Sequence, residues 1–464
     1  MKNNNSQPNI ILINCDDLGW GDLGCTGHAL HKTPHLDRLA AEGTRFTDFY
    51  QASPVCSPSR GAMLTGCHPC RIGFDSFDGP CVLFPGQGVG LSKSEETFAE
   101  VLKRAGYSTH CVGKWHCGDQ PEFLPTSHGF DTYYGLPYSN DMGRQGGRET
   151  FPPLPLLRGN VVVEAQPDQR SLTSRYTEEC VNILRANAGS GKPFMLYLAH
   201  MHVHLPHYVA ERFVMESQNG PYGGAVACID WSTGVIMREL RNLGLDENTL
   251  VLFTSDNGSR CDFGPSNGVL HGAKATTWEG GLRTPLLARW PGKIPAGRVC
   301  GTLITGMDLL PTFATLAGET PQTKLPIDGI DASRVLLGDE VELHETFPYY
   351  VASCLCAVRR GDWKLHVMRN HPWNASQLEG DFPELYNLKT DIGETRNVAA
   401  EHPEIVAQLL RDVQSYREMF GDKNTGDKGG ARRPIGRVEN PKPLTSYDPN
   451  DVYFQAMYDL GDAG

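Results

Sequence analysis

Short apolar runs alternate with longer amphipathic segments over most of this chain, and that alternation restricts the fold more than any other feature. Short apolar runs are typical of buried strands, whereas the segments between them carry apolar residues at helical spacing. Strands that alternate with helices form a mainly parallel sheet covered on both faces, so we expect an α/β fold. The predicted strands are residues 9–14 (NIILIN), 107–113 (YSTHCVG), 193–200 (PFMLYLAH), 249–256 (TLVLFTSD) and 284–290 (TPLLARW).

Two of the intervening segments carry clear helix signals. Residues 92–106 begin with the pattern of a capping box, Ser92 with Glu95, and end at Gly106. Residues 224–244 predict a longer helix of the same amphipathic kind.

The pattern changes after about residue 335. Residues 354–368 predict an antiparallel hairpin that turns at residues 360–362. Residues 402–421 predict one helix whose inward residues are Ile405, Val406, Leu409, Leu410 and Val413. We therefore expect an α/β catalytic domain over 1–335, a smaller α+β subdomain with an antiparallel sheet over 336–424, and an irregular arm over 425–464.

Composition excludes some partners and restricts the compartment. The net charge of −12 argues against a broad nucleic-acid interface, since phosphate binding depends on clustered Lys and Arg. The N-terminal apolar run is too short for a signal peptide or a membrane span. We therefore expect no membrane partner and a cytoplasmic location, unless a signal peptide has been removed. The sequence leaves open whether the chain forms a homo-oligomer. The 14 scattered cysteines suit reduced thiols, and the pair Cys67 and Cys70 lacks the partners of a zinc site.

Polar side chains close two of the predicted strands. Asp16 and Asp17 follow the first strand, and Asp256 and Asn257 end the fourth. Parallel strands end at one sheet edge, which is where ligands bind in open α/β sheets. Three carboxylates there would repel one another unless a hard dication lay among them, and oxygen ligands suit Ca²⁺ or Mg²⁺. Each doublet alone is also a common turn sequence.

Basic side chains gather in loops expected at the same edge. The candidates are Arg60, Lys114, His116, Lys274 and the histidines of residues 200–207 (His200, His202, His204 and His207). Lone histidines are more often structural than catalytic. A cluster of basic groups beside a dication, however, can grip a tetrahedral anion and stabilise it during transfer.

Cys56, in the stretch SPVCSPSRGAMLTG (53–66), stands at the start of a predicted helix. A disulfide is disfavoured by the reducing compartment, and zinc by the absence of partner cysteines. A thiolate at a helix N-terminus would be reactive but matches a hard cation poorly. An oxygen nucleophile at this position would fit better.

The segment CSPSR followed by GAMLTG resembles the sulfatase signature, Cys-x-Pro-x-Arg followed by a Thr-Gly stretch. The resemblance covers nearly the whole chain and is greatest to the arylsulfatase A and N-acetylgalactosamine-6-sulfatase branch. The matching stretches are residues 8–24, 33–50, 113–118, 255–258, 274–285 and 384–394. It implies an alkaline-phosphatase-like sandwich. It also implies that a formylglycine-generating maturase oxidises Cys56 to Cα-formylglycine, an oxygen nucleophile.

The resemblance also implies a role for each candidate residue. The ligands of Ca²⁺, or alternatively Mg²⁺, would be Asp16, Asp17, Asp256, Asn257 and the formylglycine at Cys56. Arg60 would anchor the formylglycine hydrate and His116 would handle its proton. The sulfate would be bound by Lys114, His204, Lys274 and Ser139, with Lys274 or His204 protonating the departing alcohol. His204 is preferred for its spacing to Pro206, and His202 is the fallback.

We therefore expect a sulfuric ester hydrolase acting on a small sulfated carbohydrate or an aryl sulfate. The branch resemblance, with the loop side chains Arg144, Arg148, His371 and Trp373, favours an exo-acting sulfatase for 6-O-sulfated galactose or N-acetylgalactosamine. Two alternatives stay open. One is a phosphonate or phosphate ester hydrolase of the same superfamily, and the other is a non-catalytic sulfated-glycan binder whose cysteine is never converted.

Overall fold

The computed structural model describes residues 7–260, 262, 266–370, 380–454 and 458–462. Its strands are β1 (Asn9–Cys15), β2 (Thr44–Tyr50), β3 (Val89–Gly90), β4 (Ser108–Gly113), β5 (Thr132–Gly135), β6 (Pro155–Arg158), β7 (Val161–Ala165), β8 (Phe194–Ala199), β9 (Thr249–Ser255), β10 (Arg283–Arg289), β11 (Arg298–Cys300), β12 (Ile304–Thr305), β13 (Thr346–Val351), β14 (Cys354–Arg360), β15 (Trp363–His366), β16 (Glu384–Asn387) and β17 (Gly436–Arg437). Its helices are α1 (Pro34–Ala41), α2 (Cys56–Thr65), α3 (Phe98–Arg104), α4 (Gln169–Ala188), α5 (Glu211–Glu216), α6 (Gly220–Asn242), α7 (Glu279–Leu282), α8 (Leu309–Leu316), α9 (Ser333–Leu336) and α10 (Pro403–Phe420). None of these helices is long and apolar enough to cross a membrane.

The main sheet has eleven strands in the order β11-β2-β10-β9-β1-β8-β4-β5-β6-β7, with β12 beside β2. The central strands β9, β1, β8, β4 and β5 run parallel. Antiparallel pairing begins at β10 on one side and at β6 on the other. The predicted mainly parallel sheet is confirmed, and all five predicted strands are present in it.

The register of the parallel strands places the site. Cys15 at the end of β1 lies opposite Ser255 at the end of β9, so Asp16 and Asp256 follow side by side. Gly113, the last residue of β4, is level with the end of β1 across β8. The loops after β1, β4, β8 and β9 therefore meet at one edge of the sheet.

Helices cover both faces of this sheet because its strands are apolar on both sides. Ile11 and Ile13 of β1 pack with α1, α4 and α6, whereas Ile10 and Leu12 pack with α2, α3 and α8. Successive side chains of a strand point to opposite faces, so β1 contributes to both cores.

The capping prediction for α3 is wrong. The helix is capped by Thr97, whose side chain accepts a hydrogen bond from the Glu100 backbone N–H at 3.2 Å, rather than by Ser92. The Glu95 carboxylate instead accepts hydrogen bonds from Arg433 at 2.6 and 2.8 Å. An ion pair between segments far apart in the chain therefore uses the residue that the local pattern assigned to the cap.

A second, four-stranded antiparallel sheet has the order β13-β14-β15-β16. Its central hairpin turns at residues 360–362 as predicted, and α10 packs against it through buried Leu409 and Val413. Leu410, predicted to face inward, is 41% exposed. The chain then returns to the main body, where β17 pairs with β3. The domain boundaries at 335 and 424 stay predictions.

Candidate active site

Four predicted oxygen ligands meet where β1 and β9 end. Asp16, Asp17, Asp256 and Asn257 are all buried. The Asp17 backbone N–H donates to Asp256 Oδ1 at 3.3 Å, and Asn257 Nδ2 donates to Asp17 Oδ1 at 2.7 Å. Asp17 has a left-handed backbone, with φ of 62°, which aspartate tolerates better than most residues. The structure thus brings together side chains that are about 240 residues apart in the chain.

Three cationic side chains pair with the three carboxylates. The pairs are Arg60 with Asp256 (Nε–Oδ2 2.8 Å), Lys114 with Asp16, and Lys274 with Asp17 (Nζ–Oδ1 2.8 Å). All six side chains are buried. Repulsion among the carboxylates, the reason given above for a cation, is therefore already offset by these pairs, and the case for a metal needs another observation.

That observation is a set of oxygen atoms without partners. Asp16 Oδ1 and Asn257 Oδ1 are buried and accept no hydrogen bond from the described residues. Buried acceptors without partners cost free energy, and each such atom needs an explanation. Ligand atoms of Asp16, Asp17 and His204 also lie within 4.8 Å of one another. A hard cation would satisfy the open oxygens, so the residues present fit Ca²⁺ or Mg²⁺.

Burial and charge shift the two aspartates at the strand ends in opposite directions. Burial and the neighbouring charge of Asp16 raise the pKa of Asp256. For Asp16 burial acts in the same direction, but the neighbouring basic groups together, with the Lys114 ammonium first among them, outweigh it and hold the pKa below its usual range. An added cation would therefore favour the ionised form of Asp256.

Cys56 is the first residue of α2 and is 2% exposed. Burial raises the pKa of its thiol to about 12, although the Lys114 and Lys274 ammonium groups act in the opposite direction. The residue is therefore a protonated thiol near neutral pH, which disfavours the thiolate alternative. The disulfide alternative is also disfavoured, because the thirteen cysteines in the described part of the chain, Cys67 and Cys70 included, are free thiols.

His116 has the geometry of a neutral base. Its Nε2 lies 2.9 Å from the Leu83 carbonyl, which can only accept, so Nε2 carries the proton and Nδ1 keeps a lone pair. Nδ1 is buried and has no partner within the described ranges. Burial, with the Lys114 charge, lowers the pKa of His116 well below its ordinary value. The ring is therefore neutral and can accept a proton at Nδ1.

A second group of side chains lies beside the carboxylates and consists of Lys114, Ser139 and His204. Lys114 Nζ donates to Ser139 Oγ at 3.1 Å, and that hydroxyl lies 3.4 Å from His204 Nδ1. His204 Nδ1 also donates to the Leu205 carbonyl at 2.6 Å, and its Nε2 lies 3.9 Å from Asp17 Oδ2. Burial, with the Lys274 charge, lowers the pKa of His204 to about 3, so this ring is neutral as well.

His202, the fallback for His204, is occupied elsewhere. Its Nδ1 lies 3.0 Å from Thr173 Oγ1, and its Nε2 lies 3.2 Å from the Tyr208 carbonyl. Both ring nitrogens therefore have structural partners, and His204 is the histidine of this loop that lies among the candidate groups.

The loops expected to read the leaving group are only partly at the site. Arg148 Nη1 lies 3.2 Å from Asp141 Oδ2, and the Asp141 charge contributes to the pKa of His204, so this pair lies at the rim. Arg144 instead packs over the Tyr447 ring at 3.7 Å. Asp141 was not among the predicted residues, and no motif marks it. His371 and Trp373 lie outside the described residues.

Comparisons with known proteins agree with this geometry. Residues 8–319 match the sulfatase family, and residues 342–428 match the C-terminal region of aryl-sulfatase. The chain is 40% identical to human (Homo sapiens) arylsulfatase A over 454 residues, which cover 89% of this chain and 88% of the relative. It is 39% identical to dog (Canis lupus familiaris) N-acetylgalactosamine-6-sulfatase over 424 residues, which cover 87% and 80%. The crystal structure of Ps i-CgsB in complex with k-i-k-neocarrahexaose is similar at a TM-score of 0.79 and 29% identity, covering 89% of this chain and 93% of that one.

The fold and the similarities define a class of hydrolase. This chain belongs to the sulfatase family and is a sulfuric ester hydrolase. The predicted family, fold class and type of reaction are confirmed.

Proposed function

We propose that this sulfatase is exo-acting on carbohydrates, removes 6-O-sulfate from galactose or N-acetylgalactosamine units, and uses formylglycine at position 56 with Ca²⁺, or alternatively Mg²⁺. One observation carries the proposal. Cys56 is buried at the start of α2 within the electrostatic range of both Lys114 and Lys274 and of the carboxylates of Asp16 and Asp256.

The cation and the modified side chain have defined roles when present. The cation would supply Lewis-acid stabilisation of developing negative charge, and the formylglycine would supply an oxygen nucleophile in place of the protonated thiol. The residues that would hold them are Asp16, Asp17, Asp256, Asn257 and Arg60. The open oxygens of Asp16 and Asn257 support this assignment.

The sulfate group would be bound by Lys114, Lys274 and Ser139. Lys114 and Lys274 offer ammonium donors, and Ser139 offers a hydroxyl that already accepts from Lys114. Because these groups are buried and preformed, their interaction with a sulfate oxygen is stronger than it would be in water.

Proton transfers can be divided between two residues. His116 Nδ1 is the unprotonated nitrogen that would accept a proton. On the leaving side, His204 is neutral, whereas burial at Lys274 is outweighed by the neighbouring acidic groups together, with the Asp17 carboxylate first among them, so the lysine pKa is raised and the side chain stays protonated. Between the two expected donors, the charge state supports Lys274 as the group that protonates the departing alcohol.

The carbohydrate assignment draws on the relatives and the rim. One relative is an N-acetylgalactosamine-6-sulfatase, and one similar structure was crystallised with k-i-k-neocarrahexaose. At the rim, the Arg148 side chain is 29% exposed while it holds Asp141. An arginine and a carboxylate at the rim suit hydrogen bonding to sugar hydroxyls.

A substrate panel tests the proposal after maturation has been checked. Mass spectrometry of the peptide that contains Cys56 should show the aldehyde in protein expressed with a formylglycine-generating maturase, and the thiol without it. The matured protein should then hydrolyse 6-O-sulfated galactose and N-acetylgalactosamine compounds. Hydrolysis of aryl sulfates alone would leave a general arylsulfatase. Faster turnover of the matching phosphonate esters would favour that hydrolase, and binding without any turnover would favour a non-catalytic glycan binder.

A further inference from the structure

The loop that carries Lys274 is held from two sides. On the catalytic side, the Lys274 backbone N–H donates to the Ser259 carbonyl at 3.0 Å, and the Ala275 N–H donates to the Pro54 carbonyl at 2.9 Å. Pro54 stands two residues before Cys56. The backbone of Ala275 is therefore attached directly to the segment that leads into the nucleophile helix.

Ala275 needs such attachment because its conformation is unfavourable. Its φ is 66°, in the left-handed region that non-glycine residues with a Cβ rarely adopt. Residues held in that region persist only where the surrounding structure restrains them, and they cluster at functional sites. Lys274 immediately precedes this strained residue, so the direction of its side chain depends on the restraint.

The second restraint comes from the C-terminal subdomain. Asn370, which follows β15 and is 4% exposed, donates from Nδ2 to the Ala275 carbonyl at 2.8 Å. Thr277 Oγ1 in the same loop lies 3.3 Å from Asn370 Oδ1. The buried Asn370 amide thus bonds to both neighbours of Thr276, namely Ala275 and Thr277.

The subdomain is itself fixed to this region by a buried ion network. We call Glu279, Lys364, His366 and Glu394 the Glu279 network. Lys364 Nζ lies 3.0 Å from Glu279 Oε1 and 2.9 Å from Glu394 Oε1. The Glu279 backbone N–H donates to Glu394 Oε2 at 2.9 Å. Asn370 therefore acts from a rigid frame rather than from a free loop.

We propose that Asn370 is a positioning residue for Lys274, and that the C-terminal subdomain thereby completes the active site. Asn370 holds Ala275 in its left-handed conformation, and this conformation directs Lys274 toward Asp17, 2.8 Å away. The inference rests on the sulfate-binding role proposed for Lys274.

A double-mutant cycle on matured enzyme with an aryl sulfate tests this role. Asn370→Ala should lower kcat/KM about 10- to 100-fold, since a displacement of about 1 Å at a catalytic group has effects of this size. In the Lys274→Ala background, the same Asn370→Ala change should have an effect of less than about twofold, because the group that it positions is gone. An equal loss in both backgrounds, or no loss in either, would overturn the proposal.

A matched control separates positioning from stability. Arg360 bonds to Asp412 at 2.7 and 2.8 Å between β14 and α10, within the same subdomain and away from the Lys274 loop. Arg360→Ala should lower the thermal unfolding midpoint while kcat/KM of the folded enzyme stays unchanged. An Asn370→Ala loss that merely follows its own change in unfolding midpoint, as in this control, would contradict positioning.

Two further outcomes are distinguishable. If Asn370→Ala does not fold, Asn370→Asp keeps the side-chain shape, replaces the Nδ2 donor with a carboxylate oxygen and adds a buried negative charge, and it enters the same cycle with the same expectation. If Lys274→Ala alone has the wild-type rate, the sulfate-binding role of Lys274 fails, and this inference fails with it.

Discussion

The molecule holds two clusters of buried charge that differ in how completely their atoms are partnered. In the Glu279 network, every carboxylate oxygen of Glu279 and Glu394 accepts at least one hydrogen bond. The donors to these oxygens are Tyr50, Tyr349, Arg283, Lys364, His366 and the Glu279 backbone N–H. In the candidate active site, four buried atoms have no hydrogen-bond partner within the described ranges, namely Asp16 Oδ1, Asn257 Oδ1, Arg60 Nη2 and His116 Nδ1.

This difference distinguishes a structural cluster from a binding site. Both clusters bury three or more charged groups, so burial and charge alone would not separate them. Carboxylates whose oxygens are all partnered gain little from a ligand, and removing their cation leaves a buried charge without compensation. Open atoms, in contrast, are satisfied only when a ligand or a modified side chain is present. The candidate active site therefore carries the signs of missing groups, whereas the carboxylates of the Glu279 network are fully partnered and His366 Nδ1 is the one side-chain atom of this network without a partner within the described ranges.

Removal of the proposed nucleophile should have the largest effect. Cys56→Ala should lower kcat by at least about 10³-fold with an unchanged unfolding midpoint, because nucleophile deletions abolish most of the rate enhancement. Turnover of an aryl sulfate and thermal unfolding measure the two quantities. Cys67→Ala, a second buried thiol outside the site, is the control and should keep its activity. A Cys56→Ala enzyme of normal rate would refute the assigned nucleophile.

Breaking the Glu279 network should lower the stability of the folded protein. Lys364→Met removes the cation between Glu279 and Glu394, so the free energy of unfolding should fall by about 3 to 5 kcal/mol. Chemical denaturation in the presence and absence of a chelator is the measurement, and the chelator should change the wild type and the variant equally. A loss below about 1 kcal/mol would mean that this network is not the rigid frame described above.

Removing the proposed cation should affect only the candidate active site. Chelation should lower activity about tenfold or more and lower the unfolding midpoint, because bound cation stabilises only the folded state. Added Ca²⁺ should restore both. Asn257→Ala should raise the Ca²⁺ concentration needed for restoration, since it deletes one of the two open oxygens. Elemental analysis that finds neither Ca²⁺ nor Mg²⁺ in fully active enzyme would contradict the site.

The sequence predicted the candidate active site far better than the Glu279 network. Asp16 and Asp256 follow apolar strands that must lie in one parallel sheet, so their meeting was predictable from periodicity and position. Cys56 and Arg60 belong to a short motif. In contrast, Lys364 and Glu279 are 85 residues apart and Asn370 and Ala275 are 95 apart, and no local pattern links them. The failed cap at Ser92 has a different cause, because the capping box forms at Thr97 and Glu100, which have the same spacing as Ser92 and Glu95.

A substitution of Asp230 should have a smaller effect on the free energy of unfolding. This carboxylate is intermediate between the two clusters, because it accepts hydrogen bonds from the backbone but has no basic partner among the described residues. Its Oδ1 accepts the backbone N–H groups of His35 and Leu36 at the start of α1, at 3.0 and 2.8 Å. No basic side chain within the described ranges contributes to its charge state, and burial raises its pKa to about 7.

A raised carboxyl pKa makes the folded state bind the proton more tightly than the unfolded chain, so stability falls as pH rises from about 4 to about 7. The α1 N-terminus favours the ionised form and reduces the effect, so we expect a difference on the order of 2 kcal/mol. Asp230→Asn keeps an acceptor for both N–H groups and removes the titration. Between pH 4.5 and pH 7.5, the free energy of unfolding should therefore fall more for the wild type than for the variant. Parallel curves would show that Asp230 is ionised throughout, and that backbone donors alone can partner a buried carboxylate as completely as a cation does.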